Sequence, residues 1–165
     1  MTKLESLTEP LVRLFVRIDA ARPTDEVLCV ASDFWWRQRQ DRIMPEEGQM
    51  ADVPASVAPH VFIARTMTDG SRHWLISSAG PFASSLLQLA GEGASALGEK
   101  HIAVRLRRLF DLVSEKSEPY SAMFETNGQS GQRNFVEVFA APLKAVDKSV
   151  YVIFAAVNSR AENAR

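Results

Sequence analysis

Leu4, Leu7, Leu11, Leu14 and Ile18 recur at three- and four-residue intervals, which sets them on one stripe of a helix. Val12 and Phe15 widen that stripe. Pro10 has no backbone donor, so the helix starts near Thr8 or kinks at the proline. Arg22-Pro23-Thr24-Asp25 breaks the pattern, and Thr24 or Asp25 is placed to cap a second helix running to about Gln40. Its apolar positions are Val27, Val30, Ala31, Phe34 and Trp35. From Ile43 to Pro59, three prolines and Gly48 predict an irregular connector with at most one helical turn.

The period then changes. Val61 to Arg65 and His73 to Ser77 are short apolar runs around Asp69-Gly70, a hairpin signal. Pro81 to Ala90 reads as a short helix with its proline in the first turn. Ile102, Leu106, Leu109 and Val113 repeat at 4-3-4, the mark of an amphipathic helix that Pro119 stops. Ser121 to Thr126, Asn134 to Leu143 and Ser149 to Val157 are three strands on short links, hence antiparallel neighbours. Both faces of these strands are largely apolar. One face meets the domain's own helices, and something must cover the other; the Leu4–Ile18 stripe is the candidate, from its own chain or a second copy.

Composition narrows the picture. The chain has 165 residues, enough for one domain with a real core. Nineteen basic against twenty acidic residues leave a net charge of -1, which argues against a general nucleic-acid trap. Cys29 is the single cysteine, so an internal disulfide is impossible and a zinc site is not indicated. The N-terminus lacks the apolar stretch of a secretory signal, and no run reaches the ~20 residues that span a bilayer. The expectation is a cytoplasmic protein without membrane insertion.

Familiar chemistry is sparse. His60, His73 and His101 form no close metal-ligand pair. Gly91-Glu92-Gly93 follows no strand and is not a dinucleotide fingerprint. Ser84-Ser85 lacks the frame of a nucleophile elbow. Arg37, Arg39 and Arg42 beside Trp35 and Trp36 read as a solvated helix face with a tryptophan anchor or as a protein-contact surface.

The order of elements, one long helix between a hairpin and a three-strand meander, looks like a PAS domain. Residues 34–157 resemble a family of small bacterial PAS proteins, common in alphaproteobacteria and often without a fused output domain. The resemblance rests on Phe34-Trp35-Trp36 followed by a basic stretch ending in Pro45, on Pro59-His60-Val61-Phe62, and on Glu137 with Pro142-Leu143. Where the family's second strand ends in a Gly-Thr-like pair, this chain has Ser78-Ala79. The resemblance implies an α+β, PAS-like fold: a five-stranded antiparallel sheet, helices packed on one face, and N-terminal helices before it.

The implied organisation is an N-terminal helical extension over 1–24, a PAS-like domain over 25–160 and a disordered tail over 161–165. The implied function is a non-enzymatic sensory, signalling or protein-interaction module with no tightly bound cofactor. It would act through ligand- or partner-dependent change in a homodimer. A signalling protein and a small apolar or aromatic metabolite are the expected partners, and nucleic acid is not. Trp74, Ile76, Ser78, Leu106, Leu109, Phe139 and Phe154 are the candidate pocket, with Ile153 beside them. Leu7, Leu11, Leu14, Phe15 and Ile18 are the candidate dimer interface. Two alternatives remain: a sensor carrying haem or flavin, and a small α+β enzyme using scattered polar groups such as His73, Ser78 and Glu137.

Overall fold

A computed structural model describes residues 14–20, 22–39, 44–66, 73–87, 95–96, 100–127 and 133–161. The elements run β1 (Arg17–Asp19), α1 (Glu26–Gln38), β2 (Val61–Thr66), β3 (Trp74–Ala79), α2 (Pro81–Leu86), β4 (Ser95–Ala96), α3 (Lys100–Lys116), β5 (Tyr120–Asn127), β6 (Arg133–Leu143) and β7 (Val152–Ala161). The connector before β2 holds two 3-10 turns, Glu47–Asp52 and Ala58–His60. The described strands join one antiparallel sheet in the order β1-β5-β6-β7-β2-β3-β4. The expected hairpin is β2–β3, the expected meander is β5–β6–β7, and α3 lies between them in sequence. This is the PAS-like α+β arrangement, with two short strands added to the expected five, one at each edge.

Strand parity divides the core into two. Val136, Val138, Ala140, Ile153, Ala155 and Val157 face α3, where Ile102, Leu106, Leu109, Phe110 and Val113 meet them. The alternate residues Phe139, Ala141, Leu143, Val152, Phe154 and Ala156 face α1. There they bury Leu28, Ala31, Phe34 and Trp35, with Met50 and Val57 from the connector. That double burial is why β6 and β7 read as near-continuous apolar runs. It also corrects one expectation: helices cover both faces, and α1 covers the second.

The described end of the stripe is part of the first core. Phe15 is buried against Phe124, their rings 6.0 Å apart and edge-on, and Leu14 and Ile18 pack beside it. The predicted helix does not run through Ile18. Instead Arg17, Ile18 and Asp19 pair with Met123, Ala122 and Ser121 as strand β1. An unpaired edge of β5 offers backbone hydrogen bonds that a helix ending there would forgo. Leu7 and Leu11 lie outside the described residues.

Local chemistry explains the helix ends. Asp25 caps α1, its carboxylate accepting from the backbone N–H of Val27 at 2.9 Å and of Leu28 at 3.1 Å. Glu26 in the first turn and Arg37 in the last complement the helix dipole. The end of α3 is closed by Ser117, whose φ of 55° is left-handed and whose N–H donates to Val113 O at 2.8 Å. Two residues on, Pro119 forbids continuation. Buried Trp74 keeps its indole N–H satisfied by donating to Asp111 at 2.9 Å, which locks α3 onto β3.

Candidate functional site

Glu137 is the one buried carboxylate among the described residues, 5% exposed in the middle of β6. Its neighbours Val136 and Val138 face α3, so alternation sends its side chain to the α1 side. A carboxylate there must be fully paired or it costs several kcal/mol. Four donors converge on it. Oε1 accepts from the Thr24 hydroxyl at 2.8 Å and from the Asp25 N–H at 3.2 Å. Oε2 accepts from the Thr24 N–H at 2.7 Å and from Arg17 Nη2 at 3.0 Å. Four donors match the acceptor capacity of one carboxylate.

The cluster extends to both sides. Asp25 Oδ2 accepts from Asn158 Nδ2 at 2.9 Å, and Asn158 is the register partner of Glu137 on β7. Arg17 also lies 3.8 Å from Asp19. One polar group therefore ties together β1, the start of α1 and two central strands. Cys29 sits alongside, half-buried, its thiol donating to Pro23 O at 2.9 Å. Burial pushes its pKa up, and Asp33, Glu137 and Asp25 add to the rise while Arg22 opposes it.

Next to this junction lies a cleft of about 110 Å³, lined by Ala20, Arg22, Ser32, Asp33, Trp36, Pro119 and Phe139. Arg22 and Asp33 form an exposed ion pair at 2.7 Å on its border. Asp33 and Trp36 also line a shallower groove with Val30 and Arg37. Trp36 is 48% exposed, whereas its neighbour Trp35 is fully buried and donates to Pro142 O at 3.0 Å. The Arg39 guanidinium lies over both indoles, 5.7 Å from the Trp35 ring and 5.2 Å from that of Trp36.

The residues proposed from sequence for one pocket are not brought together. Trp74, Ile76, Leu106 and Leu109 are buried on the α3 side, while Phe139 and Phe154 are buried on the α1 side. The sheet separates them, because β6 and β7 present odd and even positions to different helices. Ser78 departs for another reason. The β2–β3 register shifts between Ile63 and Ala64, so Ile76 sits opposite Ala64 and Ser78 opposite Ile63, on the other face. Ser78 is exposed. On the α3 side Trp74 and Phe110 are in T-shaped contact at 5.4 Å.

The scattered polar groups of the enzyme alternative do not converge either. Ser78 on β3 and Glu137 on β6 are separated by β2 and β7, and His73 is exposed at the start of β3. His60 has its Nδ1 3.0 Å from Val157 O and its ring against Phe82. His101 is exposed in the first turn of α3. Among the described residues, no group of three His, Cys, Asp or Glu is placed to hold a metal ion. No helix there is long and apolar enough to cross a membrane.

Sequence reasoning missed Arg17, Thr24 and Asp25 as donors to Glu137, and Asn158 as the donor to Asp25. The available signal was Glu137 itself, one acid in the apolar run Phe135-Val136-Glu137-Val138-Phe139-Ala140-Ala141. An acid in a two-sided buried strand demands donors, but the sequence does not say from where.

No family model matches the chain. No curated protein matches it. Among solved structures it is similar to an RNA-binding light-oxygen-voltage receptor, with 12% identity and a TM-score of 0.43. The match covers 67% of this chain and 32% of the receptor, so the chain spans about a third of that protein's length.

Proposed function

We propose that this chain is a non-enzymatic PAS-like sensory and interaction module, acting as a homodimer in the cytoplasm. The observation that carries the reading is the Glu137 junction. A single buried carboxylate holds the N-terminal strand, the capped start of α1 and the centre of the sheet in one arrangement. Such a joint has two states, made and broken. A ligand or partner preferring one of them shifts the population and changes what the N-terminal segment and α1 present. The division at residue 24 is then functional rather than architectural, since residues 14–20 already pack with the sheet.

Native mass spectrometry on freshly purified protein tests this. The expected species is a dimer of the 18.3 kDa chain, with or without an extra discrete mass per subunit. In Glu137→Gln the dimer fraction changes by threefold or more. A monomer at every concentration, or a dimer indifferent to Glu137→Gln and Arg17→Ala, overturns the reading. A coloured protein with a bound haem or flavin mass would replace it with the cofactor-bearing alternative.

A further inference from the structure

We propose that the outer face of α1 is a docking site for an acidic peptide segment that inserts one large apolar side chain into the cleft beside Trp36. This deepens the interaction-module reading above and rests on it for its biological setting. The geometry is that of an anchor site. The cleft of about 110 Å³ has aromatic walls in Trp36 and Phe139, with Pro119 beside them. Ser32 and the Arg22–Asp33 pair supply the polar part of the lining, and the volume admits one side chain with its apolar body against the rings. The groove of Val30, Asp33, Trp36 and Arg37 continues along the same helix, giving flanking residues somewhere to lie.

Charge selects the partner. Arg22, Arg37 and Arg39 lie around Trp36, and among the described residues Asp33 is the one acid lining the cleft or groove, already paired with Arg22. That leaves a local surplus of cations in a chain whose net charge is -1. The Arg39 guanidinium is pre-placed over two indoles, and its buried Nε has no hydrogen-bond acceptor among the described residues. A half-exposed tryptophan ringed by arginines is the typical make-up of an interface anchor. A single-stranded nucleic acid is the weaker fit. It needs successive stacking platforms along a continuous cationic track, whereas one indole is exposed here and a carboxylate sits at the centre.

The test is selection from a random 12-residue peptide library on the immobilised full chain, followed by fluorescence anisotropy with the enriched peptides. Enriched sequences are expected to share two or more acidic residues flanking one Phe, Trp, Leu or Met. Trp36→Ala and Arg37→Glu each weaken their binding at least tenfold, and both side chains are exposed, so the fold survives their loss. A cooperative thermal melt of both variants, within about 5 °C of the parent, verifies this. The proposal fails if no acidic consensus emerges, or if the peptides bind Trp36→Ala as tightly as the parent. It also fails if a uridine 12-mer competes for the face more tightly than the peptides. Loss of a dimer in Trp36→Ala would make the face a contact between copies and likewise overturn it. A monomeric parent that still selects acidic peptides would sink only the homodimer, so the two failures are separable.

Discussion

Glu137 and Arg17, 120 positions apart, meet at 3.0 Å on the α1 side of the sheet. They differ in burial: the glutamate side chain is 7% exposed and the arginine 31%. Removing each therefore has a different consequence. Glu137→Ala strands four donors, two of them backbone N–H groups beside the cap of α1. Arg17→Ala removes one donor of four and leaves the carboxylate three. Breaking a buried pair costs about 3–5 kcal/mol, reduced where water can reach the orphan. We expect about 2–4 kcal/mol for Glu137→Ala and about 1 kcal/mol for Arg17→Ala. Urea unfolding of both variants checks the ordering. Equal losses would mean that the backbone donors of Thr24 and Asp25 contribute nothing.

Two adjacent tryptophans on α1 make a second contrast. Trp35 is fully buried and its indole N–H satisfies the Pro142 carbonyl. Trp36 points outward and touches Trp35 and Arg39. Trp35→Phe loses volume and orphans a buried acceptor, at a cost of about 2–3 kcal/mol. Trp36→Ala forfeits only an edge contact and a cation–π pair, about 0.5–1 kcal/mol. Thermal melts that ranked them the other way round would contradict the assignment of the two faces of α1.

Much of this fold was legible in the residues, and each failure has its own physical cause. The 4-3-4 spacing of Ile102, Leu106, Leu109 and Val113 located α3 because a single apolar stripe on a helix has one interpretation. Thr24-Asp25 announced the start of α1 because few residue types cap a helix, and Asp25 is the one that accepts from the two N–H groups. Phe139 and Phe154 were assigned to a pocket with Leu106 because a strand apolar on both faces hides its parity. Ser78 was placed beside Ile76 because the register shift at Ile63 leaves no trace in a run of small polar residues. The Leu14–Ile18 segment kept helical spacing to the edge of the sheet, where backbone pairing with β5 outweighed it. Glu137 stands out as one acid in an apolar run, but its donors come from more than 110 residues upstream, beyond the reach of any local rule.

Ser117 holds a φ of 55° at the end of α3, and it is exposed. A serine there carries the Cβ penalty of the left-handed region, which glycine avoids. Ser117→Gly is expected to stabilise the protein by about 0.5–1 kcal/mol. The gain should appear as a higher denaturation midpoint at unchanged slope. A loss instead would mean that the glycine's extra freedom in the unfolded chain outweighs the relieved strain.

Alkaline pH should weaken the fold through two groups. Burial pushes the Cys29 thiol up, and burial followed by the Glu118 charge pushes the Tyr120 phenol up. Both are neutral when protonated, so the folded chain keeps protons that the unfolded chain releases. Their contribution is fully present below the unfolded values, about 8.5 for thiol and about 10 for phenol. It is lost as pH rises through the higher folded values. The melting temperature should therefore fall from about pH 8.5 upward. Cys29→Ser should flatten the first part of that fall and Tyr120→Phe the later part. A melting curve whose alkaline fall is identical in both variants and the parent would place the loss elsewhere.

Gly80 stands between β3 and α2, its N–H donating to Val61 O at 2.8 Å and its carbonyl accepting from Ser84 N–H at 2.8 Å. Its φ of −67° suits any residue, so conformation does not require glycine. Space does. A Cβ at this position would lie 2.2 Å from Ala58 O and 2.6 Å from the Pro59 carbonyl. These are backbone atoms of the turn leading into β2, and moving them shifts His60 and the entry to that strand. Gly80→Ala is expected to cost about 2–4 kcal/mol, as overpacking against rigid neighbours does. At this size that is roughly 5–15 °C in melting temperature. Gly48 is the control, because a Cβ there meets nothing within 4 Å and no left-handed φ is involved. Gly48→Ala should be neutral or up to about 1 kcal/mol stabilising, by reducing the freedom of the unfolded chain. Equal effects at the two glycines would show that the contact of Gly80 with the 58–59 turn does not persist in solution.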